Sequence, residues 1–184
     1  MCQSESGQST EKIPRHDTTT CVVADRWGNI IVATEDQHTR AERSRTRQGR
    51  LRIALTPTLV LKDGLPIVAI SDMPDHATLN VLLNHTEFGL SAQQAVTAPR
   101  FYMNHQDSFN PDPDRNAAFV GRGELKVHAE IPEVIRNNLK GRGHLLEAFT
   151  TPIEHPVMIV IDQQTGLTHA AGDPKTNRHA GAAK

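Results

Sequence analysis

Thr18, Thr19 and Thr20 head a run, Cys21-Val22-Val23-Ala24, whose β-branched character predicts a strand. A threonine hydroxyl is a weak nucleophile at neutral pH and becomes useful when a base lies within hydrogen-bond reach. If the threonine opens a mature chain, its own α-amine can be that base. An α-amino group titrates near about 7.7–8.0, so part of it is neutral at physiological pH. Residues 1–17 are polar and read as a disordered head. A polar head that ends at Asp17 and passes at once into a threonine-led strand is the layout such a nucleophile needs. Taken alone, a threonine run reports only β-propensity.

Other chemistries find less support. There are ten histidines, but none forms H-E-x-x-H or pairs with another on one helix face, and no C-x-x-C is present. His76 and His85 are too far apart to be helical neighbours. These histidines read as surface or locally bonded residues, and neither a metal nor any other cofactor is expected. Gly141-Arg142-Gly143 is too short for a phosphate loop and follows a predicted helix, so it reads as a C-cap. Arg40, Arg43, Arg45, Arg47, Arg50 and Arg52 fall in a stretch, 35–52, without apolar periodicity. No aromatic is interleaved there to stack on a base, so the stretch reads as a solvated loop rather than a nucleic-acid contact.

Composition agrees with this narrowing. The 20 Lys and Arg balance 21 Asp and Glu at a net charge of −1, unlike a basic nucleic-acid binder or an acidic tail. No apolar run approaches the ~20 residues of a membrane span. The first residues show neither a basic nor an apolar signal region, which leaves the compartment open, with the cytoplasm as default. Cys2 and Cys21 cannot build a disulfide framework. With 184 residues the chain reads as one mixed domain.

The elements that must position Thr18 follow from local patterns. Asp25-Arg26-Trp27-Gly28-Asn29 is turn chemistry before a second strand, Ile30–Thr34, so a hairpin is expected. Thr56–Leu61, Lys62-Asp63-Gly64 and Leu65–Ile70 predict another hairpin. Leu79, Leu82, Leu83 and Phe88 recur near helical spacing, with Gly89 at the end. Ser91 reads as the N-cap of a further helix that Pro99 stops. A strand at Leu125–His128, a helix at Pro132–Lys140 and a strand at Leu145–Phe149 come next, then strands at His155–Asp162 and Leu167–Ala171. Antiparallel sheet layered on helix is the implied α+β architecture. Cys21 reads as a buried strand residue, Trp27 as a packing residue, and Arg100 as a maker of structural hydrogen bonds.

Several of these blocks, in order, resemble one family. Thr18-Thr19 followed by a hydrophobic strand, Asp25 and Gly28-Asn29 resembles the start of the small subunit of γ-glutamyltranspeptidases, also called glutathione hydrolases. Thr56-Pro57-Thr58 with Lys62-Asp63-Gly64, Phe88-Gly89-Leu90, Ala98-Pro99-Arg100-Phe101, Gly143-His144 and Ala170-Ala171-Gly172-Asp173-Pro174 are similar to further blocks of that subunit. The resemblance runs from residue 17 nearly to the end, so residues 18–184 are expected to form one small-subunit-like domain. It implies an N-terminal-nucleophile hydrolase fold, an αββα sandwich with antiparallel sheets. It implies cleavage before Thr18, attack of Thr18 on a γ-glutamyl carbonyl of a small molecule such as glutathione, and no cofactor. It also implies a large-subunit-like protein partner.

The chain departs from the family at the site itself. Asp36 stands where the family has a threonine, and His38 where it has an asparagine. Ile53 and Ala54 replace paired serines, and the Gly-Gly that donates N–H groups to the oxyanion falls in a gap between Ser71 and Asp72. The Arg-rich 35–52 stretch replaces the lid segment. Thr18 is thus the candidate nucleophile, with Thr19 and Asp36 as candidate supporting residues. Two functions remain: a γ-glutamyl hydrolase or transferase, and a truncated, catalytically silent relative acting as an accessory or binding chain.

Overall fold

A computed structural model describes residues 18–36, 55–72, 75–103, 124–152 and 154–182. The polar head and most of the Arg-rich stretch, 37–52, lie outside the described residues. The chain begins with strands β1 (Thr18–Ala24), β2 (Ile30–Asp36), β3 (Thr58–Lys62) and β4 (Leu65–Ser71). Helices α1 (Asp75–Thr86) and α2 (Ala92–Thr97) follow, then β5 (Phe101–Tyr102) and β6 (Glu124–His128). Helix α3 (Glu133–Gly141) leads to β7 (Leu145–Phe149), β8 (Val157–Ile161) and β9 (Thr168–Gly172), with a closing 3-10 turn at Pro174–Thr176. No helix among the described residues is long and apolar enough to cross a membrane.

Local chemistry accounts for the boundaries. The Asp25 carboxylate accepts the N–H groups of Trp27 and Asn29 and the Asn29 side chain, at 2.9, 2.9 and 2.8 Å, and so closes the β1–β2 turn. Gly28 takes φ 86° in that turn, a conformation glycine adopts without steric cost. Ser91 caps α2 in a reciprocal box: its hydroxyl accepts from Gln94 N at 3.3 Å, and Gln94 Oε1 accepts from Ser91 N at 3.0 Å. The Gly141-Arg142-Gly143 stretch does close α3, with Gly143 N–H donating to Lys140 at 2.9 Å.

The central sheet runs β3-β4-β8-β9, all antiparallel. On one face Val68, Ile70, Met158 and Ala171 pack against Val81, Ala92, Ala95 and Val96 of the first two helices. On the other face the β1–β2 hairpin lies over β4 and β8. Thr34 Oγ1 meets Ser71 Oγ at 2.6 Å, and Ser71 Oγ donates to the Ala33 carbonyl at 2.7 Å, so a buried serine ties the two sheets together. Hairpin, central sheet and helix pair make three successive layers. A third sheet, β5-β6-β7, stands beside them.

Some expectations are corrected. The β6–β7 pair is parallel, with α3 as its crossover, whereas every other pair among the described residues is antiparallel. Helix α1 buries Ala77, Thr78 and Val81 and leaves Leu79, Leu83 and the following Phe88 exposed. The small residues let the helix lie close to the sheet, and this decides its buried face. Cys21 is exposed, because strand alternation turns Thr20 inward and its neighbour outward. Trp27 is 73% exposed, with the Arg26 guanidinium 4.4 Å from its ring centre, so it does not pack in the core.

Arg100 does serve structure. Its guanidinium donates to Asp173 Oδ2 at 2.7 Å, with both side chains nearly inaccessible, and also reaches the carbonyls of Val96 and Ala98. Removing one partner would strand a buried charge, a cost of about 3–5 kcal/mol. Arg100→Ala should lower the unfolding free energy by that order in urea titrations, and a loss below about 1 kcal/mol would contradict the role given to the pair.

Candidate active site

Thr18 is the first residue of β1, and across the hairpin its Cα partner is Asp36, the last residue of β2. Thr19 pairs with Glu35 and Thr20 with Thr34. The hairpin therefore brings the three sequence-picked positions, Thr18, Thr19 and Asp36, to one end of one small sheet. Thr19 is exposed on the outer face of the strand. His38, Ile53 and Ala54 lie outside the described residues.

Sequence reasoning did not single out the residues that hold this strand end. Thr20 is 7% exposed, and its Oγ1 donates to the His155 carbonyl at 2.9 Å. The same oxygen accepts from Arg178 Nε at 3.1 Å. On the other side of His155, its N–H donates to Asp72 Oδ1 at 3.1 Å, and Asp72 is fully buried. The segment before β8 is thus clamped between β1 and the residue that follows β4. These partners stand 83 to 158 residues apart in the chain, and no local periodicity reports them.

Glu154 precedes His155 in a left-handed conformation, φ 63°, where a non-glycine residue is rare. Burial pushes its carboxyl up to about 8, the nearby Asp72 carboxylate adds to the rise, and Arg100 opposes it. Glu154 is therefore mostly protonated at neutral pH. Asp72 and Arg100 thus act on Glu154 in opposite directions, while Arg100 itself is paired with Asp173.

Among the described residues no group of three or more His, Cys, Asp and Glu side chains could hold a metal ion. A groove of about 580 Å³ is lined by Lys62, Leu65, His85, Val160, Asp162 and Gln164. It opens at the β3–β4 turn, the end of β4 opposite to Ser71, and so is remote from Thr18. The groove and the Thr18 end of the hairpin are therefore separate features.

Residues 46–183 match the family model described as Gamma-glutamyltranspeptidase, and the chain belongs to that family. The β1–β2 hairpin with Thr18 precedes the matched residues. The chain is 24% identical over 191 aligned residues to the glutathione hydrolase proenzyme of Bacillus subtilis strain 168, covering 87% of this chain and 30% of that protein. The enzyme of the same name from Bacillus subtilis subsp. natto is 23% identical over 180 residues, covering 81% and 28%. The chain thus spans less than a third of the curated relatives it matches.

Solved structures agree on the fold. A mutant γ-glutamyltranspeptidase of Helicobacter pylori superposes with a TM-score of 0.63 at 19% identity, over 85% of this chain and 99% of that one. The Pseudomonas nitroreducens enzyme complexed with L-DON gives 0.63 at 16%, over 90% and 99%. The Bacillus anthracis transpeptidase CapD gives 0.64 at 14%, over 90% and 99%. The α+β, N-terminal-nucleophile hydrolase-like architecture is therefore the fold of this chain.

The raised Glu154 carboxyl makes stability depend on pH. Its folded value of about 8 exceeds the ordinary 4.5, so between these values the folded chain binds more protons than the unfolded one. Stability from this group is fully present below the unfolded value and is lost as pH rises through the folded one. Thermal melts at pH 5, 7 and 8.5 should show a falling midpoint in the wild type. The fall should be shallower in Glu154→Gln, and parallel profiles would contradict the assignment.

Proposed function

We propose that the chain is the nucleophile-bearing part of an enzyme that hydrolyses or transfers γ-glutamyl groups, with Thr18 freed by hydrolysis of the Asp17–Thr18 bond. The observation that carries this reading is that β1, which includes Thr18, is anchored two residues after it, at Thr20, by the His155 carbonyl and Arg178. An anchored strand start presents the terminal residue in a defined place. Processing is a property of the relatives. Both curated relatives are named proenzymes, and an acivicin-inhibited γ-glutamyltranspeptidase is described as using its C-terminus in autoprocessing and catalysis.

The chemistry needs no cofactor. The neutral α-amine of Thr18 takes the hydroxyl proton as Oγ attacks the γ-glutamyl carbonyl carbon. The tetrahedral intermediate collapses, the C–N bond breaks, and the departing amine takes the proton back from the ammonium. The resulting ester is opened by water, giving hydrolysis, or by an acceptor amine, giving transfer. The name of the curated relatives, glutathione hydrolase, supports a γ-glutamyl small molecule such as glutathione as the substrate class.

A larger protein partner belongs to the proposal. The outer sheet has two strands against four in the central sheet. Val23 and Ile31 on its outer side are 52% and 66% exposed, and Leu59 and Leu61 of β3 are also open. Apolar area of this kind suits a protein interface. A segment equivalent to the part of the relatives that this match does not cover is the proposed occupant.

A second reading, a catalytically silent accessory chain, is favoured by Asp36. An acidic residue at the register position opposite Thr18 would disfavour a developing oxyanion, the species such sites stabilise. Intact mass after prolonged incubation at neutral pH separates the two readings. Loss of residues 1–17, with turnover of a γ-glutamyl anilide that Thr18→Ala abolishes, is the expected result. An unchanged mass without turnover, in the presence of a large-subunit partner as well, would favour the silent reading.

A further inference from the structure

The C-terminal turn reaches back to β1 through a built path. Asp173, held by Arg100, accepts Lys175 N–H on Oδ1 at 3.0 Å, and its carbonyl accepts Thr176 N–H at 3.0 Å and Arg178 N–H at 3.1 Å. Asn177 then turns the chain with φ 57°. Residues 178–179 pass so close to β9 that a Cβ on Gly172 would lie 2.7 Å from the Arg178 carbonyl carbon. Only glycine leaves room for that crossing. The side chain of Arg178 emerges from it onto Thr20 Oγ1 at 3.1 Å.

We infer that Thr20 and Arg178 are positioning residues for the strand end that presents Thr18, joined in the relay Arg178 Nε–H to Thr20 Oγ1–H to the His155 carbonyl. Its catalytic meaning rests on the Thr18 reading above. A hydroxyl that accepts one hydrogen bond and donates another polarises both, and removing it breaks two hydrogen bonds at once. Thr20 is the only link of this relay on β1. The relay therefore converts the core ion pair into a fixed position for the strand start. Thr19, one residue nearer, is exposed and does not share this role.

The full chain tests this with three variants. Thr20→Val keeps the shape and removes the hydroxyl, Thr20→Ser keeps the hydroxyl and removes a methyl, and Arg178→Ala removes the donor. Amide exchange by mass spectrometry across residues 19–24 should rise about tenfold in Thr20→Val and Arg178→Ala, the order expected for one lost hydrogen bond. Thr20→Ser should match the wild type, and exchange in β3 and β8 should not change in any variant. The rate of cleavage at Asp17–Thr18 should fall with the same pattern. Equal damage from Ser and Val would assign Thr20 to packing and overturn the inference, as would wild-type exchange in Thr20→Val. Cleavage at the wild-type rate in a chain whose strand has loosened would overturn the positioning role. If the wild-type chain is never cleaved, the Thr18 reading falls, and the exchange comparison alone decides whether the relay fixes the strand.

Discussion

The buried contact between Arg100 and Asp173 is the constraint around which the rest is arranged. Arg100 lies three residues beyond α2, and its guanidinium returns to the Val96 and Ala98 carbonyls at the end of that helix. Its own carbonyl accepts His128 N–H at 2.9 Å, which brings in the third sheet. Asp173 contacts Pro156 through its N–H at 3.3 Å and organises the C-terminal turn. A buried ion pair is weak evidence of net stability, since well-packed apolar residues could do as well. What it does here is geometric. A guanidinium has a fixed fork of donors, so the helix end, the β8 approach and the final turn must meet at one place.

Above that base the molecule becomes more polar toward Thr18. Ser71, Thr34, Thr20 and Asp72 are all buried or half-buried; the first three bond between the hairpin and the central sheet, and Asp72 holds the approach to β8. Sheet faces joined by apolar side chains alone can slide, because the contact has no direction. Hydroxyl bonds between the hairpin and the central sheet set a register. Family membership thus rests on the central sheet and its helices, within residues 46–183, while any chemistry would rest on a hairpin that precedes them.

The sequence was most legible where structure is local. Asp25, Asn29 and the Lys62-Asp63-Gly64 turn announced their hairpins, because each closes within a few residues. Ser91 announced a helix start for the same reason. The spacing of Leu79, Leu82 and Leu83 marked α1 correctly, but such spacing does not say which face is buried. Cys21 failed similarly: alternation tells that neighbours face opposite ways, not which of them faces in. The parallel β6–β7 pair could have been suspected from its intervening helix, which is the usual crossover. Glu154 and Arg178 carried no signal at all. Their roles come from partners far away in the chain, which only the folded backbone assembles.

The narrow hairpin sheet has a consequence for the molecule's colloidal behaviour. Among the described residues both edges of β1–β2 are unpaired with any other strand. Such an edge is a row of vacant donors and acceptors, able to accept any extended segment of similar pattern. The outer face adds Cys21, Val23 and Ile31 without a lysine or proline to interrupt them. A chain kept apart from a strand-donating neighbour would therefore tend to grow by edge-to-edge addition of its own copies. The same open border that could receive a neighbouring strand is, in isolation, a template for fibrous self-association.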